Sequence, residues 1–319
     1  MILRRLLILL AALFALATPA AAQKRIAFSF DDVPRTPGEF MPPQQRTERL
    51  IAALRRAGVR QAAFFVNPGN LQQPWGAGRE GQIAAYVRAG HVIGNHSFSH
   101  PHLSEIGAPA FIANIDQAAT WLHGRPGYRP WFRFPFLDEA SRDIATRDAV
   151  RAALRERHLM NAYVTVDSMD WLLDQLINQA PHDRQLDMNA LRDLYVRIIV
   201  ESAEYSDRLA RDALHRQPIQ VMLMHETDIE AMFLPDAVAA LRARGWRIVP
   251  IDEAYRDPIA AAEPDSPYLS SRIGALASLP GMPPRELSPE LNRMDVVTNL
   301  FNMQVLHIPP PAAPSAPAQ

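Results

Sequence analysis

Short apolar and β-branched runs alternate with stretches of helical spacing along most of this chain, and that alternation most narrows the folds open to it. Residues 25–30, 61–66, 91–95, 131–134, 161–166, 219–224 and 246–250 have the length and composition of strands. Between them the spacing predicts helices over 45–57, 81–89, 110–123, 141–157, 187–216 and 235–244. The first three stop at Gly58, Gly90 and Gly124, where glycine accepts the left-handed backbone that ends a helix. Such alternation is satisfied by a parallel α/β architecture with right-handed crossovers. It does not choose between a closed barrel and an open sheet. In both, the loops that follow the strands converge on one face, so chemistry is expected where strands end.

The first residues carry a short basic start (Arg4, Arg5), an apolar run from Leu6 to about Ala17, and small residues with Ala20 and Ala22 at signal-peptidase spacing. Residues 1–22 therefore read as a cleaved export signal, too short for a comfortable membrane span. With no cysteine, the chain has neither a lipoprotein attachment site nor a disulfide framework. Net charge is −1, and Lys24 is the sole lysine. The arginines are scattered among acids, which argues against a polyanion surface, so no nucleic-acid partner is expected. Beyond Asp257 the alternation decays and proline becomes dense, ending in IPPPAAPSAPAQ. The expected organisation is a leader at 1–22, a main domain at 23–257, an extension at 258–307 and a disordered tail at 308–319.

Two clusters at strand ends carry chemical meaning. Asp31 and Asp32 are the only adjacent aspartates, and they directly follow the apolar run of the first strand. On extended backbone their side chains point oppositely, so one acid is free to bind a metal while the other takes a second role. His96 and His100 form the only H-x-x-x-H, and Pro101 disfavours helix at His100. A loop presenting both rings beside a carboxylate makes a two-histidine, one-carboxylate metal site with open positions. Arg133 follows the fourth strand among aromatics, where a guanidinium can hold a carboxylate through paired hydrogen bonds. Asp167, Asp170 and Trp171 follow the fifth strand, and His225 ends the sixth. A histidine there becomes a useful acid when a carboxylate such as Asp170 raises its pKa.

In this order SFDD (29–32), HSFSH (96–100), RFPF (133–136), DSMDW (167–171) and LMH (223–225) resemble the motif set of the polysaccharide deacetylase family, the NodB-homology domain of carbohydrate esterase family 4. AAFFVN (62–67), AGHVIGNH (89–96) and LRARGWRIVPIDEA (241–254) extend the likeness over roughly 25–255. The resemblance implies a distorted (β/α)7 barrel. It implies metal ligands Asp32, His96 and His100 around a divalent cation, usually zinc, with Asp31 as catalytic base and His225 as catalytic acid. Arg133 would position the base and Asp170 tune the histidine. Trp171 and Leu223 would shape the acetyl pocket, and a backbone N–H near Phe136 would face the developing oxyanion.

Two positions depart from the family pattern: Val33 stands where glycine is usual, and Phe136-Leu137 where Tyr-Gly is common. Losing glycine is expected to remove positive φ and reshape those loops. The implied activity is metal-dependent N-deacetylation of an extracytoplasmic glycan, either peptidoglycan or a chitin-like N-acetylglucosamine polymer. An O-acetyl esterase acting on xylan-type polysaccharide would use the same centre, and a non-catalytic glycan-binding protein would keep only the scaffold. No integral membrane span is expected after signal cleavage. Trp75 and Trp131 are open to either sugar stacking or core packing.

Overall fold

The computed structural model describes residues 23–181, 183–268, 271–283 and 286–309. The leader at 1–22 and nearly all of the tail at 308–319 lie outside the described residues. The strands are β1 (Arg25–Val33), β2 (Ala63–Val66), β3 (Val92–Asn95), β4 (Tyr128–Phe132), β5 (Met160–Asn161), β6 (Val166–Asp167), β7 (Gln220–His225) and β8 (Arg247–Ile248). The helices are α1 (Pro43–Arg56), α2 (Glu80–Arg88), α3 (Leu103–Leu122), α4 (Ile144–Glu156), α5 (Asp170–Asn178), α6 (Met188–Leu214), α7 (Asp228–Ala243), α8 (Arg272–Ser278) and α9 (Met294–Leu300).

The strand order is β5-β4-β3-β2-β1-β7-β6, with β8 also on β1, and every described pairing is parallel. The sheet curls into a half-barrel of the expected α/β class. Residues 161–166, expected as one strand, are divided between its two edges. Met160 and Asn161 pair with β4, whereas Val166 and Asp167 pair with β7. Ala162 N–H still reaches Phe132 O, and Thr165 N–H reaches Val221 O. This segment therefore bridges the open side of the curl and cannot pair along its whole length with either neighbour.

Alternate residues of the strands enter different cores, as the two-residue period of extended backbone requires. Ile26, Phe28, Phe30, Phe64, Val66, Met222 and Met224 face the helices α1, α6 and α7. Ala27, Ala63, Phe65 and Val221 face the inside of the curl, filled by Trp131, Tyr163 and Tyr255. Trp131 is thus a core residue. Burial of each large side chain contributes about 1.5–3 kcal/mol, and both faces of β1 share in it. C-terminal residues join the same cores: Ile259, Ile273 and Leu287 pack inside, while Leu291, Val297 and Phe301 pack against the outer cluster.

Helices α3, α5, α7 and α8 differ from expectation, with α7 starting at Asp228 instead of 235 and α8 lying where no helix was expected. Helix α3 is two helical pieces that meet at Gly107, whose φ of +73° and ψ of 167° are not helical, and the expected start at 110 falls within the second piece. Helix α5 was not expected at all. For the site, the register matters most: Asp31 pairs with His225, Val33 with Val66, Val66 with Asn95, and Asn95 with Phe132. The C-terminal ends of β1, β2, β3, β4 and β7 are thereby level, and their motif residues open onto one cleft.

Candidate active site

Asp31 lies near the end of β1, almost fully buried, and its carboxylate is held by Arg133. One guanidinium nitrogen, Nη1, donates to both Asp31 oxygens at 3.0 Å. The expected paired fork is therefore replaced by a shared donor. The other nitrogens explain why: Nη2 donates to Ser29 Oγ (3.1 Å) and Tyr255 Oη (2.9 Å), and Nε donates to Ala162 O. The guanidinium also lies 4.4 Å from the Phe65 ring centre. Every edge of Arg133 is committed, so its charge is fixed beside Asp31.

Asp32 does not point away from Asp31 as an extended strand would require. Its φ of +65° turns the carboxylate back towards the same cleft. His96 Nε2 lies 3.7 Å from Asp31 Oδ2 and 3.4 Å from Asp32 Oδ1, and His100 Nε2 lies 3.0 Å from Asp32 Oδ1. His96 Nδ1 is 2.8 Å from Arg133 O. That carbonyl can only accept, so Nδ1 carries the proton and Nε2 offers its lone pair to the cleft. The loop is braced by Asn95 Oδ1, which accepts from Ser97 N–H, and by Asn114 Oδ1, which accepts from Phe98 and Ser99 N–H. Ser97 and His100 both have positive φ, a cost of the kind that collects at functional sites.

These residues fit a divalent cation. One ligand atom from each of Asp32, His96 and His100 lies within 4.8 Å of the others. Asp32 Oδ1, which faces both rings, is buried and accepts no hydrogen bond from the protein. Nitrogen and oxygen donors about 2.0–2.2 Å from zinc stand roughly 3.3 Å apart, close to the spacing seen here. Burial alone would raise the Asp32 pKa, but the two imidazoles and Arg35 hold it well below the usual carboxylate range.

Across the cleft, His225 is fixed by Asp170, the first residue of α5. His225 Nδ1 lies 2.8 Å from Asp170 Oδ1, and the His225 N–H donates to Asp170 Oδ2 at 2.6 Å. Burial opposes the imidazolium, yet the Asp170 charge and hydrogen bond win and raise the His225 pKa to about 9. Burial pushes the Asp170 carboxyl up, and His225 and Ser168 pull it below its usual range. Behind it Glu230, buried and close to Asp170, is raised well above its ordinary value and accepts from Tyr195 Oη at 2.5 Å.

The cleft has a volume of about 460 Å³ and is lined by both aspartates, both ligand histidines, Asp167, His225, Trp171, Leu223 and Phe136. Leu223 is 5% exposed on its floor, while Phe136 is 56% exposed at the rim. The Phe136 ring stacks on His102 with centroids 3.6 Å apart. Phe136 and Leu137 both adopt positive φ (56° and 53°), so loss of the family glycine does not take this loop out of that region. Trp75 instead lies near Arg79 and does not line the cleft.

Eight of the ten expected site residues line this cleft, and Arg133 and Asp170 each directly contact one that does, Asp31 and His225. Asp170 sits one shell behind, on His225. Sequence reading missed Arg35, which contacts Asp32, and Asp174, which contacts Arg35, together with Tyr255 and Ser29, which hold Arg133. For Arg35 a signal existed: it is the one basic residue within three positions of the aspartate pair on its C-terminal side.

Residues 18–155 match the family model described as polysaccharide deacetylase. A peptidoglycan-N-acetylglucosamine deacetylase of Bacillus cereus is 26% identical over 146 residues, 46% of this chain and 46% of that protein. A chitin deacetylase of Colletotrichum lindemuthianum is 31% identical over 114 residues, 35% of this chain and 42% of that one. The chain thus spans less than half the length of either relative. A CE4 family pseudoenzyme from Bacillus anthracis superposes with a TM-score of 0.51 at 17% identity, over 73% of this chain and 66% of that one, a likeness of fold. The matched span contains Asp31, Asp32, His96, His100 and Arg133, whereas Asp170 and His225 lie beyond it. With the strand-end motifs and the curled parallel sheet, this match shows that residues 18–155 are similar to the polysaccharide deacetylase family, and the likeness of fold extends over most of the chain.

Proposed function

We propose that this protein is a metal-dependent hydrolase that removes N-acetyl groups from a glycan outside the cytoplasm, with peptidoglycan or chitin-like N-acetylglucosamine chains as substrate. One observation carries the reading: Asp31 and His225 flank the Asp32, His96 and His100 cluster within a single cleft. Names of relatives that act on peptidoglycan and chitin support the substrate class.

Asp32, His96 and His100 would hold the cation, most simply zinc, which when bound supplies a Lewis acid that polarises the acetyl carbonyl and acidifies water. Asp31, oriented by Arg133, takes a proton from the attacking water. Negative charge growing on the carbonyl oxygen would be met by a backbone N–H near Phe136. His225, charged through Asp170, gives its proton to the amine nitrogen as the C–N bond breaks, leaving acetate and a free amino sugar. An amine leaves poorly without that proton, so a charged histidine suits amide cleavage. Leu223 and Trp171 enclose the acetyl methyl, and the exposed face of Phe136 offers a surface for a sugar ring.

On this reading the leader at 1–22 directs export, and the main domain at 23–257 carries the chemistry beside the extension at 258–307. Among the described residues no helix is long and apolar enough to cross a membrane. Mass-spectrometric product analysis of zinc-loaded protein tests the reading across N-acetylglucosamine oligomers, peptidoglycan fragments and acetylated xylan. Loss of the mass of one acetyl group for each amino sugar deacetylated is expected. Deacetylation of xylan alone would replace the reading with an O-acetyl esterase, and glycan binding without release of acetate would replace it with a binding protein.

A further inference from the structure

Arg35 occupies a place that neither the motifs nor the chemistry above requires. It leaves β1 two residues after Val33, lines the cleft, and donates from Nη1 to Asp32 Oδ2 at 2.5 Å. Its Nη2 reaches Asp174 Oδ2 at 3.3 Å. Asp174 lies one turn after Asp170 on α5, so the guanidinium links the ligand aspartate to the helix that carries the partner of His225.

The main chain of Arg35 is held with unusual investment. Its N–H donates to Glu226 Oε2 at 3.0 Å, and its carbonyl accepts from Arg46 Nη2 at 2.9 Å and from Arg79 Nη1. Glu226, Arg46 and Arg79 are all buried, and Glu226 also accepts from Tyr86 Oη at 2.6 Å. Burying ionic groups is costly, and such a cluster is a weak source of net stability even when paired. Its evident product here is one fixed residue, whose side chain contacts the metal-ligand candidate.

Building on the metal site proposed above, we propose that Arg35 is a positioning residue that holds Asp32 as a one-oxygen ligand. With Oδ2 occupied by the guanidinium, only Oδ1 faces the imidazoles of His96 and His100, and Oδ1 is the oxygen without a hydrogen bond. The cation then meets three single-atom donors and keeps open positions for water and the acetyl oxygen. Arg35→Met frees Oδ2, and the carboxylate can rotate or bind through both oxygens.

Cobalt(II) titrated into metal-free protein at neutral pH reads both affinity and coordination, the latter through the strength of its visible ligand-field bands. For Arg35→Met, affinity should fall by ~10–100-fold, the range for losing a group that orients a ligand, and the bands should weaken as coordination number rises. Arg35→Lys should recover part of the affinity, and Asp174→Asn should show a smaller loss of the same sign. Equal or tighter binding by Arg35→Met with unchanged bands would overturn the assignment. Should that variant fail to fold, unchanged affinity and bands in Asp174→Asn would overturn it. Wild-type protein that takes up no cobalt would overturn the metal site itself, together with this role for Arg35.

Discussion

Replacing Asp170 with asparagine keeps the size of the side chain that holds His225 but removes its charge. In the folded protein Asp170 contacts His225 twice, at ring Nδ1 and at the main-chain N–H. That partner overcomes burial and raises the His225 pKa from 6.5 to about 9. With the charge gone, burial acts unopposed and the imidazole should fall to 6.5 or below. At pH 7.5 the protonated fraction would drop from ~97% to ~10% or less, so protonation alone costs about tenfold in rate. Full loss of an oriented general acid costs ~10²–10⁴-fold, and the variant should fall in the lower half of that range, because the ring stays in place. The assay is kcat/KM for acetate release against pH. Wild-type activity should decline along an alkaline limb set by His225, and Asp170→Asn should move that limb downward by two pH units or so. A nearby dication lowers both limbs, so their separation is the quantity that decides. An alkaline limb unmoved by Asp170→Asn would refute the assignment of His225 as the acid.

Other consequences are measurable separately. In metal-free protein His225 is more basic folded than unfolded, so its stabilisation is complete below pH 6.5 and disappears as pH rises through about 9; urea denaturation should show a fall of about 3 kcal/mol across that window, absent in Asp170→Asn. Arg133→Met leaves Asp31 buried without its cation and should cost about 3–5 kcal/mol of stability by denaturant melts, with deacetylation at background. Leu223→Ala enlarges the floor of the acetyl pocket, so the N-propionyl to N-acetyl ratio of kcat/KM should rise by about tenfold, the scale of one methylene; an unchanged ratio would place the methyl elsewhere. Tyr255→Phe removes one of the hydrogen bonds that fix Arg133, and should lower kcat a few-fold with KM steady.

What could be read in the sequence divides along physical lines. Strands β1, β2, β3 and β7 are continuous buried runs, and burial on both faces leaves an unambiguous apolar signature. Asp31, Asp32, His96 and His100 were legible because strand ends in a parallel sheet converge, whatever the curvature. Local backbone was not legible. Nothing in the residue types forecasts φ +65° at Asp32, which turns two neighbouring acids into one cleft. Helix α5 was hidden because DSMDW reads as a turn, and Met169 does enter it with left-handed backbone. The division of residues 161–166 between two edges depends on the curl of the sheet, a property of all the strands together. Arg35 was passed over because a lone arginine beyond a strand is ordinarily solvated; only the buried partners on its main chain mark it out.

The most direct test is titration of zinc into exhaustively demetallated protein while acetate release from N-acetylglucosamine oligomers is followed, in wild type and in Asp31→Asn. Activity should return with one equivalent of zinc in the wild type, and Asp31→Asn should bind that equivalent yet remain slower by ~10²-fold or more. Acetate release that survives complete removal of metal, or an Asp31→Asn protein as active as the wild type, would contradict a hydrolase built on Asp32, His96 and His100 with Asp31 as its base.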